Sequence, residues 1–145
     1  MARGYCVLNF KAYANSVGKR AVELSKIADE VAAELGANII VCVQAVDLRA
    51  VSAAVKIPVY AQHVDVKKPG AFTGSLVAEA VKDAGAKGTL INHSEHRLPL
   101  GEVKLIVERC REAGISPLCC VATVDKARGV AAFRPDFIAI EPPEL

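Results

Sequence analysis

"NFKAYANSVG", residues 9–18, is the stretch on which the fold turns. It follows the first strand-like run, "YCVLNF" at 5–10. An open, doubly wound nucleotide-binding sheet would place a glycine-rich phosphate turn there. The segment lacks the G-x-G-x-x-G spacing and instead sets Asn9 and Lys11 at the tip of the run. Polar side chains recur at the same place along the chain: Gln62, Asn92 with His93 and Glu95, and Glu141 each close an apolar run. The C-terminal rim of parallel strands is where open α/β sheets and (β/α)8 barrels both carry their chemistry. In a flat sheet in sequence order, the first and sixth strands would lie roughly 24 Å apart, at ~4.8 Å per spacing. Lys11 and Glu141 could not then share a small ligand. If they work together, the sheet is curled.

Outward from that stretch, six apolar runs read as strands: 5–10, 38–43, 57–62, 87–92, 115–121 and 136–141. They are apolar on both faces, as in a parallel sheet covered on both sides. Helical patterns separate them. The clearest spans 16–35, with Ser16 as N-cap, Val17, Ala21, Leu24, Ala28, Val31 and Leu35 as its apolar stripe, and Gly36 as its stop. Val77, Ala80, Val81 and Ala84 before Gly85 repeat the scheme, as do Val103, Ile106, Val107 and Cys110 before Gly114. Shorter helices are expected at 45–54 and 124–132. Such alternation is the pattern of repeated βαβ units. The expected architecture is an incomplete (β/α)8 barrel, with six parallel strands and about five helices in a single partial-barrel domain over residues 1–145. Residues 63–75, "HVDVKKPGAFTGS", form the one long irregular connection, and loops of that length are often functional.

Composition narrows the function classes. Aromatic residues make up 5% of the chain and Trp is absent, which argues against a base-stacking surface. A net charge of +2 gives no reason to expect a nucleic-acid or membrane partner. The apolar runs are far too short to span a bilayer. The N-terminus has no signal-peptide layout, so a cytoplasmic location is expected. The five cysteines, Cys6, Cys42, Cys110, Cys119 and Cys120, contain no C-x-x-C and read as free thiols in apolar runs rather than disulfides or metal ligands.

Four motifs in register, "NFKAY" at 9–13, "AQHVDVKKPGAFTG" at 61–74, "INHSEHR" at 91–97 and "IEPPEL" at 140–145, resemble triosephosphate isomerase. The Asn-His-Ser-Glu and Glu-Pro-Pro-Glu-Leu forms resemble its archaeal members. The resemblance implies a TIM barrel and interconversion of dihydroxyacetone phosphate and D-glyceraldehyde 3-phosphate through an enediolate, in glycolysis and gluconeogenesis, with no cofactor and no metal. It implies Glu141 as the base, His93 as a neutral electrophile at the start of a short helix, and Lys11 as a fixed charge for oxyanion and phosphate. Asn9 would supply an amide donor to the substrate, Glu95 would hold Lys11, and Thr73 would reach into a neighbouring subunit. His63, His96 and Cys120 are assigned to structure and packing. The enzyme serves as a standard example of pKa tuning, so these roles are the family's rather than inferences from spacing.

The family's chain continues past "EPPEL" through a glycine-rich lid and two more strands that carry much of the phosphate site. Three explanations of the present chain stand open: a split enzyme completed by another chain, a fragment of a longer product, or a truncated relative without the reaction. The first two imply a complementary C-terminal chain or fragment, together with a homo-oligomer. The alternative to an isomerase is a non-catalytic barrel fragment serving as scaffold or binding partner.

Overall fold

The computed structural model of the protein describes residues 4–142. The motif at 140–145 is therefore covered through Pro142, and Pro143 to Leu145 lie outside the described residues. In order the elements are β1 (Tyr5–Asn9), α1 (Lys19–Leu35), β2 (Asn38–Val43), a 3-10 turn (Ala45–Asp47), α2 (Leu48–Ala54) and β3 (Val59–Ala61). They continue as α3 (Ala78–Asp83), β4 (Gly88–Ile91), α4 (Leu100–Ala113), β5 (Ser116–Val121), α5 (Val124–Ala131) and β6 (Phe137–Ile140). The six strands are hydrogen-bonded in sequence order, each parallel to the next. The result is a half-barrel of six parallel strands, as the alternation of runs implies. Among the described residues no helix is long and apolar enough to cross a membrane.

Strands β2 to β6 divide their side chains between two apolar layers. On β2, Ile39, Val41 and Val43 join the helix-side core with Val81, Val103, Ile106 and Val107. Ile40 and Cys42 face the other way and pack with Tyr60, Leu90, Leu118 and Cys120 inside the arc. This two-sided burial is why the runs lack the alternation of a half-exposed sheet. The curl is visible in one contact: the rings of Tyr5 on β1 and Phe137 on β6 meet edge to face, 5.0 Å between centroids. A flat sheet could not bring its first and sixth strands that close. Gly88 makes room for the inner layer. A Cβ there would lie 2.5 Å from the Tyr60 ring and would also strike the Ser116 carbonyl.

Three details depart from the sequence expectation. First, α1 begins after Gly18, whose N–H donates to Asp47 Oδ2 at 3.0 Å, and Ser16 is not its cap. The Ser16 hydroxyl is buried and lies 2.6 Å from Phe10 O, closing the loop that leaves β1. Second, α1 buries its small residues, Ala21, Ser25, Ala28 and Ala32, so the helix can approach the sheet closely. Leu24, Val31 and Leu35, assigned to the same apolar stripe, are exposed. Third, β1 is not covered on both faces: Tyr5, Val7 and Leu8 are exposed, because β1 stands at the end of the strand order and pairs with β2 alone among the described strands.

The 63–75 loop is tied down along its length. The Asp65 N–H donates to the Leu76 carbonyl at 2.8 Å, and the Asp65 carboxylate accepts the Leu76 N–H at 2.6 Å. Burial pushes the Asp65 carboxyl up, but the Leu76 N–H and His63 outweigh it and hold it below the usual range. Lys68 pairs with Glu112 at 3.2 Å, and Glu112 pairs in turn with the buried Arg109, which also holds Glu79 on α3. Cys42, Cys110, Cys119 and Cys120 are buried free thiols, and Cys6 is exposed on β1. Burial pushes the last three of the buried set up to about 12.

Candidate active site

The tips of β1, β3, β4 and β6 converge. After β1 the chain turns through Lys11, whose backbone is left-handed at φ 51, a costly state for a residue with a Cβ. Neighbours hold it there. The Lys11 N–H donates to Asn9 Oδ1 at 3.0 Å, and the Gln62 amide donates to the Lys11 carbonyl at 2.9 Å while lying 3.2 Å from Asn9 Oδ1. Lys11 Nζ then reaches Glu95 Oε1 at 3.0 Å. That bond, followed by the Glu95 charge, raises the Lys11 pKa, with a smaller contribution from Glu141 on the far side of the mouth.

β4 delivers His93 through Asn92, a second left-handed residue at φ 62. The backbone then folds into a turn closed by the His96 N–H on the His93 carbonyl at 2.8 Å, and the short helix expected at His93 is not formed. The imidazole is set by this turn rather than by a helix end. The Glu95 N–H points at His93 Nδ1 at 3.1 Å, so Nδ1 presents a lone pair and the ring proton sits on Nε2. The Glu95 carboxylate is also near Nδ1, at 3.5 Å, but the shorter backbone bond decides the tautomer. His93 Nε2 faces Glu141 Oε1 at 3.3 Å.

Glu141 follows β6 directly, and its N–H continues the ladder by donating to Val121 O at 2.7 Å. Its Oε2 is buried and has no hydrogen-bond partner among the described residues. A buried carboxylate oxygen without a partner is costly in a purely structural role. Asn9, Lys11, Gln62, His93 and Glu95 line a cavity of about 320 Å³, with His63 and His96 stacked in its wall at 4.2 Å. A larger cleft of about 670 Å³ lies outside the sheet between α4 and α5, lined largely by Leu98, Leu100, Val103, Val121 and Val130, with Arg97, Asp125 and Lys126 as its ionisable groups. The smaller cavity gathers three imidazoles with Lys11 and Glu95, and Glu141, outside its wall, meets it through His93. Among the described residues no group of three or more His, Cys, Asp or Glu side chains is placed to hold a metal ion.

Of the residues singled out in the sequence, Asn9, Lys11, His93, Glu95 and Glu141 come together at one mouth. Thr73 does not: it is exposed in the turn closed by Ser75 N on Phe72 O and is absent from the cavity wall. Sequence reasoning assigned no role to Gln62 or Asn92 beyond their place at strand tips. The available signal was residue type, since Asn is among the few side chains that tolerate positive φ.

A sequence model of the triosephosphate isomerase family matches residues 5–145. The chain is similar to the triosephosphate isomerase of Methanocaldococcus jannaschii, 48% identical over 139 residues, covering 96% of this chain and 64% of the relative. It is 46% identical to that of Methanothermus fervidus over 145 residues, and 44% identical to that of Archaeoglobus fulgidus over 142, covering 65% and 64% of those relatives. The chain thus spans less than two thirds of the length of these curated relatives. Among solved structures, the triosephosphate isomerase of Bartonella henselae superposes with a TM-score of 0.71 at 26% identity, covering 89% of this chain and 55% of that one.

Proposed function

The chain belongs to the triosephosphate isomerase family, and on that premise we propose that its mouth holds the proton-transfer groups of an isomerase acting on dihydroxyacetone phosphate and D-glyceraldehyde 3-phosphate. The observation that carries this is the pairing of a half-naked carboxylate with an imidazole N–H: Glu141 Oε1 lies 3.3 Å from His93 Nε2, and Oε2 has no partner. Glu141 takes a proton from the carbon beside the substrate carbonyl. The electron pair moves to the carbonyl oxygen, where the His93 Nε2–H donates to the developing enediolate. The hydroxyl proton passes to that oxygen by way of the His93 ring, and return of the proton from Glu141 to the former carbonyl carbon leaves a hydroxyl there and a carbonyl on the neighbouring carbon, with no net redox change. Lys11 adds a positive charge at the same rim, Asn9 an amide, and Glu95 fixes the Lys11 ammonium.

The same reading assigns the work to glycolysis and gluconeogenesis in the cytoplasm, and gives Thr73 a place in a neighbouring subunit's site. Holding a phosphate dianion needs more donors than the described rim supplies, and remote phosphate binding is what such an enzyme draws on to lower its barrier. We infer that a further polypeptide segment, from a longer product or from another chain, completes the phosphate site and covers β1 and the outer face of α1. Exposed Tyr5, Val7, Leu8, Ile27 and Leu35 support that inference, because apolar surface of this extent marks a contact. The same surface is also the feature that favours the second reading, a scaffold without catalysis.

The test is to purify the 145-residue chain, measure its solution mass and its conversion of dihydroxyacetone phosphate, and repeat both with a polypeptide carrying the family's lid and last two βα units. Isomerisation that appears on mixing and disappears with Glu141→Gln is the expected result. A mixed assembly that forms but never isomerises would leave the scaffold reading.

A further inference from the structure

Asn92 stands between β4 and the imidazole and makes more ties than any role assigned to it so far requires. Its amide Nδ2 donates to the Cys120 carbonyl on β5 at 2.8 Å. Its Oδ1 accepts the Leu98 N–H at 2.8 Å, and its own carbonyl accepts Arg97 Nη1 at 2.8 Å. The side chain therefore staples both ends of the 93–98 turn to the neighbouring strand, while its left-handed backbone aims the turn over the mouth. Inside that staple lie the two bonds that define His93: Glu95 N–H on Nδ1, and His96 N–H on the His93 carbonyl.

We propose that Asn92 is a positioning residue for His93, holding the turn in the shape that keeps a backbone N–H on Nδ1 and the ring proton on Nε2, facing Glu141. The residue type fits both demands. Glycine would accept the positive φ but offer no amide. Alanine would meet neither demand. Aspartate would tolerate the φ and accept from Leu98, yet place a carboxylate against the Cys120 carbonyl. The order of competence is therefore Asn, then Asp, then Gly, then Ala. The catalytic consequence rests on the isomerase reading above, whereas the geometric one does not.

The experiment is nitrogen-detected NMR of the His93 ring in the full 145-residue chain, recorded on the alkaline side of the imidazole titration, for wild type, Asn92→Gly and Asn92→Asp. Wild type should show one tautomer, with the proton on Nε2. Asn92→Gly should show a mixture, and Asn92→Asp an intermediate shift, with amide resonances of β2 unchanged and those of β5 altered only next to Cys120. If the glycine variant fails to fold, the aspartate variant is read in the same way. In an assembly that turns over, Asn92→Gly should lower kcat about 10- to 100-fold with KM within about twofold, the pattern of a misplaced catalytic group. A folded Asn92→Gly, or Asn92→Asp in its stead, that keeps the single wild-type tautomer would overturn the proposal even if isomerisation is confirmed. Loss of the tautomer in a chain that never isomerises under any complementation would uphold Asn92 and remove the isomerase reading instead.

Discussion

Replacing Gly88 with alanine puts the smallest possible side chain where the inner layer has no room. The added Cβ would sit 2.5 Å from two atoms of the Tyr60 ring, and would meet the Ser116 carbonyl on the other flank. Ordinary carbon contacts lie at ~3.5–4.0 Å, so roughly 1 Å of displacement is needed on each side. Neither neighbour yields easily: Ser116 O belongs to strand backbone paired with Gly88, and the Tyr60 ring is fixed among Ile40, Cys42, Leu90 and Leu118. Overpacking of this kind costs about 1–3 kcal/mol. With a urea m-value of about 1.5 kcal/mol/M, about 2 kcal/mol moves the midpoint down by roughly 1.3 M at unchanged m. Equilibrium urea unfolding of Gly88→Ala against wild type, in the same assembly, measures it. Adding Tyr60→Leu to Gly88→Ala should recover part of the loss, since the ring clash is relieved while the carbonyl clash remains, giving a coupling of about 0.5–1.5 kcal/mol. A midpoint for Gly88→Ala indistinguishable from wild type would refute the packing account of the inner layer. Because β4 ends two residues before His93, the variant should also disturb the imidazole when it folds.

In an assembly that isomerises, Glu141→Gln should lower turnover by about 10³-fold or more with a modest change in binding, since it removes the base and keeps the shape; single-turnover kinetics with the labelled substrate would show it. Lys11→Ala should raise KM and lower kcat together, because its charge meets both bound substrate and enediolate, and steady-state kinetics separates the two. Glu79 is held below the usual carboxylate range first by its Arg109 bond, and Asp65 is also lowered. Carboxylates depressed in the fold add stability above their unfolded pKa near 4 and lose it as pH falls through the lowered folded value. Stability should therefore decline below about pH 4, and Glu79→Gln should flatten that decline in chemical denaturation at stepped pH.

The strands were legible because burial on both faces leaves uninterrupted apolar runs, and the helix stops because Gly36 and Gly114 take the left-handed conformation that ends α1 and α4. The curl was legible only indirectly, through polar residues at successive strand tips. Ser16 was misread since a serine before an apolar stripe has the pattern of a cap whether its hydroxyl turns to the helix or, as here, to the Phe10 carbonyl. The stripe of α1 misled for a related reason: periodicity shows which residues share a face, not whether a neighbour covers it. The Gln62 and Asn92 ties were beyond reach, since each joins segments far apart in sequence. Arg109, buried between Glu79 and Glu112, carries no sequence mark that sets it apart from the exposed charges of α4.

The Tyr5–Phe137 contact bears on how the site comes into being. It closes a chain segment of about 130 residues, yet by loop-closure entropy that costs only about 1.5 kcal/mol more than closing one of about 25. Backbone pairing among the described strands joins only neighbours in sequence, so curvature accumulates pair by pair along the arc. The two rings then meet as a result of that accumulated twist rather than as its cause. Lys11 and Glu141 sit at the same two ends of the arc, so the acid–base mouth exists only when the whole arc is curled, and a flattened sheet would keep every one of its residues while losing the site.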